Sequence, residues 1–328
     1  MTAEPTAVHI AKEIAHERSL ISGRFHPSGE LLFVGSEDFQ VWRFRLTDDS
    51  KVAYPTEAWV RGIVFPTDEV VVTGGYDGRL IWWPTDGEAP AAIRVVDAHH
   101  GWIRAVALSP DRSLIATCGN DLAVRLWSAA DGSLVRELTG HERHVYHVAF
   151  HPDGESIVAG DLTAKFRQWS VASGELQREF VMPTLHKYDA GFMADYGGPY
   201  CLTFDPTGEK LAGGGITNVS NAFAGVGNPA IAVIDWASAA ESVAHLSKAG
   251  TQGKAWGVVW HPENFVVAAT GGQGGGWLMF WKAGEKDEFH AFNLNNTARD
   301  LDLHPDGLLL ATVHHDGRIR LSKMAPAA

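Results

Sequence analysis

Residues 99–138 read HHGWIRAVALSPDRSLIATCGNDLAVRLWSAADGSLVREL, and their punctuation decides the architecture. The apolar run from Ile103 to Leu108 stops at Ser109-Pro110-Asp111. Proline presets φ for a turn and cannot donate to a sheet ladder, so it belongs between strands. A second run, Leu114 to Cys118, ends at Asn120-Asp121. A third, Val124 to Trp127, precedes Asp131-Gly132, and Leu134 to Leu138 completes the unit. The stretch predicts four short strands joined by tight turns. Apolar residues occupy both faces of the inner strands, as in a sheet packed between two others.

The same phrase, with proline between two apolar runs, recurs at Pro27, Pro66, Pro110, Pro152, Pro206, Pro262 and Pro305. The intervals are 39, 44, 42, 54, 56 and 43 residues. Four short strands every forty-odd residues mark a propeller blade. The reading is one all-β domain over residues 1–328, a seven-bladed β-propeller with four antiparallel strands per blade. Its blades are expected to begin near residues 16, 57, 99, 141, 196, 252 and 296. The last copy runs through Ile319-Arg320-Leu321 without a fourth strand, whereas residues 8–14 (Val8 to Ile14) alternate like an edge strand. The N-terminal segment is therefore expected to supply the outer strand of the seventh blade and close the ring.

In the third copy His99 lies eleven residues before Pro110, Thr117 seven after it, Asp121 eleven after and Trp127 seventeen after. This arrangement resembles the WD-repeat family, whose blades carry a buried His–Ser/Thr–Asp–Trp network. The resemblance implies that Asp121 accepts from His99, that His99 donates on to Thr117, and that Thr117 meets the Trp127 indole. The other copies depart from it. Asp38, Asp77 and Asp316 hold the turn-aspartate position, but Thr163 stands there in the fourth copy. Trp83 and Trp169 hold the tryptophan position, which Phe44 and Ser322 fill in the first and last copies. His16 and His141 keep the histidine offset.

Of the 328 residues, 45% are hydrophobic and 20% charged, enough for a large core and unlike a disordered chain. Lys+Arg number 27 against 39 Asp+Glu, a net charge of −12, which argues against nucleic-acid phosphate as the main partner. Cys118 and Cys201 are too few for a disulfide framework or a four-thiolate metal site. The first residues show neither a basic nor an apolar targeting region, and no run of about 18 apolar residues suggests a membrane span. A soluble cytoplasmic protein with no membrane partner is the expectation.

The two long proline intervals hold inserts at 182–198, between blades four and five, and at 216–228, inside blade five. Both are expected at one rim, beside the glycine-rich stretch 271–276. Aligning the copies places Arg61, Arg104, Tyr146, Tyr200, Trp256 and Arg299 at equivalent positions around the central opening. Trp59, Trp102, His144 and Lys254 stand two residues before four of them. The family resemblance implies partner contacts at these positions, and arginine and large aromatics dominate interface hot spots. The expected role is a non-catalytic scaffold or adaptor binding a protein or peptide. Three arginines facing one opening favour an acidic or phosphorylated segment. The plainer alternative is that they pair with carboxylates of adjoining blades.

Enzyme signatures are weak. Gly225-Val226-Gly227-Asn228-Pro229-Ala230 matches a dinucleotide fingerprint but lacks the following helix, and reads as a flexible loop. His186, Lys187, Asp189 and Asp195 offer acid–base groups within the first insert with nothing to fix their geometry. His26, His151, His261 and His304 precede the repeat prolines and read as turn residues. His99, His100, His144 and His186 show no metal-ligand spacing. No catalytic residue, metal site or cofactor is expected. The competing function is a small-molecule or metal-dependent activity seated between the two inserts at the same mouth.

Overall fold

The computed structural model describes residues 2–221, 225–247, 251–272 and 275–327. Ala222-Phe223-Ala224 of the second insert and Gln273-Gly274 of the glycine-rich stretch lie outside the described residues. Seven four-stranded antiparallel sheets form a propeller ring, and a separate two-stranded hairpin joins blades four and five. The third blade orders its strands as Ile103–Leu108, Leu114–Gly119, Val124–Ser128 and Leu134–Leu138, from the axis outward. First strands of neighbouring blades pack against one another all round the ring. The seventh sheet joins both chain ends: Val8–Ala15 pairs antiparallel with Arg318–Met324, outside Leu309–His314 and Ala298–Leu303.

The period-2 pattern of each inner strand is what builds the ring. In blade three Ile115 and Trp127 face blade two, in an apolar cluster with Val72, Leu80 and Trp82. Their neighbours Ala116 and Leu126 face blade four, against Val148, Ile157 and Trp169. Each of the seven seams holds such a cluster, so each blade is the core of the next.

A polar device reinforces four seams. The histidine before the repeat proline turns its Nε2 toward a turn carbonyl of the following blade: His26 to Asp68 at 2.7 Å, His151 to Gly208 at 2.9 Å, His261 to Gly307 at 2.7 Å, and His304 to Gly29 at 2.9 Å. A carbonyl only accepts, so Nε2 carries the proton. Nδ1 is left to accept the backbone N–H two residues on, as at Ser28, Asp153, Glu263 and Asp306. The seat demands glycine at Gly29 and Gly208. Both have φ +76°, and a Cβ there would lie 2.3 Å and 2.6 Å from the histidine Nε2 atoms. These histidines are thus staples between blades as well as turn residues.

In blade three His99 Nδ1 stands 2.7 Å from Asp121 Oδ1, His99 Nε2 2.7 Å from Thr117 Oγ1, and the Trp127 indole N–H donates to Thr117 Oγ1 at 2.9 Å. Burial, opposed by Asp121, lowers the His99 pKa and so favours the neutral ring. The direction expected for one link is therefore reversed. The single ring proton goes from Nδ1 to the carboxylate, and Nε2 accepts from the Thr117 hydroxyl rather than donating to it. Burial acts to raise Asp121, but hydrogen bonds from His99 and Arg125 outweigh it and hold the carboxyl well below the usual range. Blade four corrects the assignment of Thr163. His141 Nδ1 bonds Asp161, two residues earlier, at 3.0 Å, while Thr163 donates its N–H and hydroxyl to that same carboxylate. Strand two of this blade carries Ala159 where blade three has Thr117, so His141 Nε2 is buried without a partner. In blade one His16 contacts Asp38 and Ser36, and Trp42 rather than residue 44 supplies the indole, donating to Asp38 at 3.0 Å.

Within the described residues both inserts are largely paired strand. The first forms the hairpin His186–Asp189 with Ala194–Gly197, and blade five then opens with Cys201–Phe204. The second lengthens two strands of blade five, Lys210–Asn221 and Val226–Asp235. The glycine-rich fingerprint at 225–230, read as a flexible loop, is therefore mostly strand, with Asn228 opposite Thr217 and Pro229 opposite Ile216. Pro229 is tolerated because the fourth strand of that blade first pairs at Ala230.

Candidate functional site

The first strand of six blades carries a register shift, one residue inserted against its partner strand. In blade three Ile103 pairs with Gly119 and Ala105 with Cys118, leaving Arg104 as the extra residue. The same shift singles out Arg61, Tyr146, Trp256 and Arg299, and Ile21 in blade one. A β-bulge re-aims the side chain of its extra residue. Five of the aligned rim residues thus share a backbone cause, one that repeat spacing locates but does not reveal. Tyr200 reaches the same place from just before its strand, its N–H bonded to Gly214 O at 2.8 Å.

Arg61, Arg104, Tyr146, Tyr200, Lys254 and Trp256 line one cavity of about 270 Å³, together with Tyr76. Its cations lie over aromatic faces. The Arg104 guanidinium stands 5.0 Å from the Trp102 ring and 4.6 Å from Tyr146, and Arg61 is 5.6 Å from Trp256. Lys254 Nζ is 4.8 Å from Tyr200, 5.3 Å from Trp256 and 5.2 Å from Tyr196. Tyr76 stacks on Trp102 with centroids 4.4 Å apart and planes 8° from parallel. Lys254 donates to the Tyr200 hydroxyl at 3.1 Å and Arg104 to Asn120 Oδ1 at 2.7 Å. Trp102 and His144 stay at the exposed margin. Tyr76 and Tyr196 were absent from the sequence alignment of rim positions. Tyr76 precedes the turn aspartate Asp77, as Asn120 precedes Asp121 and Glu37 precedes Asp38, so the turn offset was the signal that could have found it.

Charge separates these cations into two groups. Arg299 pairs with Glu37 of blade one at 2.6 Å, and Arg24, deeper in the channel, pairs with Asp300 at 2.6 Å. For Arg299 the carboxylate-pairing alternative therefore holds. Among the described residues, Arg61, Arg104 and Lys254 have no carboxylate within 4.0 Å. Nearby histidines register burial first and these cations second. Burial, then Arg61 and Arg24, push His147 down to about 3, and burial, then Arg104, lower His144. Burial acts to lower the Lys254 ammonium, but Tyr200 and Tyr196 more than offset it and its pKa lies above the ordinary value.

Both inserts border this mouth. The Lys187 ammonium donates to Val219 O, and Tyr196 packs on Ile216 and Val219. His186 pairs with Asp195 at 3.0 Å, and Arg143 of blade four reaches the same carboxylate at 3.3 Å. The acid–base groups of the first insert thereby brace the hairpin. Among the described residues no three His, Cys, Asp or Glu side chains gather as a metal site.

Residues 91–128 and 132–170 match the WD domain, G-beta repeat family, and these stretches hold the inner strands of blades three and four. The chain is a WD-repeat β-propeller. It is similar to Protein HIR1 of Mycosarcoma maydis, 32% identical over 72 residues, covering 22% of this chain and 7% of HIR1. It is also similar to Polyadenylation factor subunit 2 of Candida albicans, 25% identical over 118 residues, 35% of this chain and 21% of that protein. Ribosome biogenesis protein ERB1 of Malassezia globosa is 32% identical over 107 residues, 31% of this chain and 12% of ERB1. The propeller thus aligns with 7% to 21% of the length of these relatives.

Proposed function

We propose that this WD-repeat propeller is a non-catalytic cytoplasmic scaffold that captures an acidic or phosphorylated segment of a protein partner at its channel mouth. One observation carries the reading. Arg61, Arg104 and Lys254 converge on one cavity without a carboxylate counter-ion among the described residues, in a chain of net charge −12. A buried or half-buried cation left unneutralised is costly, and aromatic faces at these distances return only about 0.5–2 kcal/mol each. An incoming anion gains what the fold has left unspent. The net charge of −12 disfavours an acidic partner on the chain at large, so the mouth sets register and orientation more than raw affinity. Tryptophan, tyrosine and arginine, already held in place, lose little entropy on binding. By its name, one relative is a subunit of a polyadenylation factor, in keeping with membership of an assembly.

Affinity purification from a lysate, with identification of co-purifying chains, tests this reading on the wild type and on an Arg61→Ala/Arg104→Ala double variant. The variant is expected to lose the partner while its stability stays within about 1 kcal/mol, since neither side chain forms an ion pair. Phosphatase treatment of the lysate separates a phosphorylated ligand from one that is simply acidic. Undiminished capture by the double variant rejects the mouth as the docking site.

A further inference from the structure

A second cavity, of about 320 Å³, opens beside the mouth. It is bounded by Val226 of the second insert, by Gly253, Lys254 and Trp256 of blade six, and by Thr297 and Arg299 of blade seven. Lys254 and Trp256 line both cavities, so the two meet across that pair of side chains. Their electrostatics differ. The mouth holds three cations without a carboxylate, whereas Arg299, the remaining arginine of the groove, is neutralised by Glu37 at 2.6 Å. Away from Lys254 the groove therefore offers no unpaired arginine or lysine, and its walls are the Trp256 ring, the Val226 and Thr297 side chains, glycine backbone, and the polar side chains of Gln252 and His315 at its edge. That backbone is held open by close packing. A Cβ on Gly253 would lie 2.3 Å from Gly271 O, so a larger residue would disturb the wall rather than merely line it. A pocket of this size with one aromatic wall suits an apolar side chain together with the backbone that carries it.

We propose that this groove is a specificity subsite for an extended acidic segment: while Arg61, Arg104 and Lys254 hold the anionic group, a bulky apolar side chain next to it crosses Trp256 and is buried between the second insert and blade seven. The inference rests on the mouth reading above. Charge complementarity chooses the occupant, because a ligand anchored by its anion at Lys254 meets the groove as the adjoining apolar space. The second insert gives it a purpose, since Val226 reaches the groove only because the strand pair of blade five is lengthened.

The test uses the full chain and a degenerate heptapeptide library with a central phosphoserine or a central glutamate. Fluorescence anisotropy then compares the selected peptide with its glycine-substituted counterpart. Selection is expected to enrich leucine, phenylalanine or tryptophan beside the anion, and glycine at that position is expected to weaken binding about 10-fold or more, as for a lost buried apolar side chain. Val226→Trp, which fills the groove, is expected to abolish that preference while leaving dependence on the anion intact. Gln252→Trp, at an exposed groove residue, provides a second blocking variant that the fold tolerates. Binding that needs the anion and Arg104 but ignores its neighbours would overturn the groove and leave the mouth standing. Binding indifferent to the anion and to Arg61→Ala/Arg104→Ala would overturn the mouth itself.

Discussion

Replacing Ala159 by threonine should stabilise the protein, and the fourth blade shows why. His141 already bonds Asp161 through Nδ1 at 3.0 Å, so the ring proton is committed there and Nε2 is a buried acceptor with nothing to accept. In blade three the equivalent Nε2 receives the Thr117 hydroxyl at 2.7 Å, and that oxygen also receives the Trp127 indole at 2.9 Å. Ala159 and Trp169 stand at the matching places, both buried. Leaving a buried acceptor unsatisfied costs about 1–3 kcal/mol, and threonine also favours strand over alanine by up to about 1 kcal/mol. Against this stands the crowding of two added heavy atoms at a seam, about 1 kcal/mol where the neighbours must shift. The net expectation is a gain of about 1–2 kcal/mol. With an unfolding entropy near 2 cal/mol/K per residue, 1 kcal/mol moves Tm by about 1.5 °C in a chain of this length, so the rise is about 1.5–3 °C. Differential scanning calorimetry measures it, with Ala159→Val as the control that adds the same bulk without the hydroxyl. If the valine variant matches or exceeds the threonine variant, the missing hydrogen bond is not what blade four lacks.

Other expectations follow from the seams and the channel. His304→Ala removes the staple between blades seven and one, and should cost about 1 kcal/mol, read as a Tm lower by about 1.5 °C. Deleting residues 2–15 removes the outer strand of blade seven, and with it the buried side chains of Val8 and Ile14. The loss should reach about 4 kcal/mol from those two side chains alone, and an unchanged calorimetric transition would contradict closure by this strand. Asp302 accepts the Phe25 N–H at 2.7 Å, yet burial, opposed by Arg24 and that N–H and reinforced by Asp300, raises its pKa to about 6 from 3.8. A carboxyl raised in the folded state stabilises only while protonated: its contribution is present below about pH 4 and lost as pH rises through about 6. Asp302→Asn should therefore melt above the wild type at pH 7, and the two Tm values should converge near pH 4.

Much of this was legible in the sequence for physical reasons. A turn proline is a hard constraint on φ and on donors, so seven of them at near-regular spacing located seven sheets, and alternation in Val8–Ala15 located the closing strand. Rim positions were also legible, because equivalent offsets in equivalent strands reach equivalent places, but the bulge that turns Arg61, Arg104 and Trp256 into the mouth leaves no compositional mark. Partners across a seam were not legible. Nothing local ties Arg299 to Glu37, 262 positions away, or His304 to Gly29. The substitution of Asp161 for residue 163 was missed because a side chain two positions earlier in a turn can reach the same histidine from a different backbone direction. The stretch 225–230 was misread as a flexible loop because glycine-rich segments lack β propensity. Pairing with a partner strand of the same blade, as Asn228 does with Thr217, supplies what propensity does not.

The most direct measurement is an NMR titration of the ¹⁵N-labelled chain with a hexaglutamate peptide, following arginine Nε–H and tryptophan indole resonances. The signals of Arg61, Arg104 and Trp256 should shift saturably and weaken with added salt, while that of Arg24, already paired with Asp300, stays in place. Shifts at Arg24 equal to those at Arg61 and Arg104, or no saturable shift at the mouth for hexaglutamate or for a phosphoserine peptide, would contradict an anion site built from cations without counter-ions.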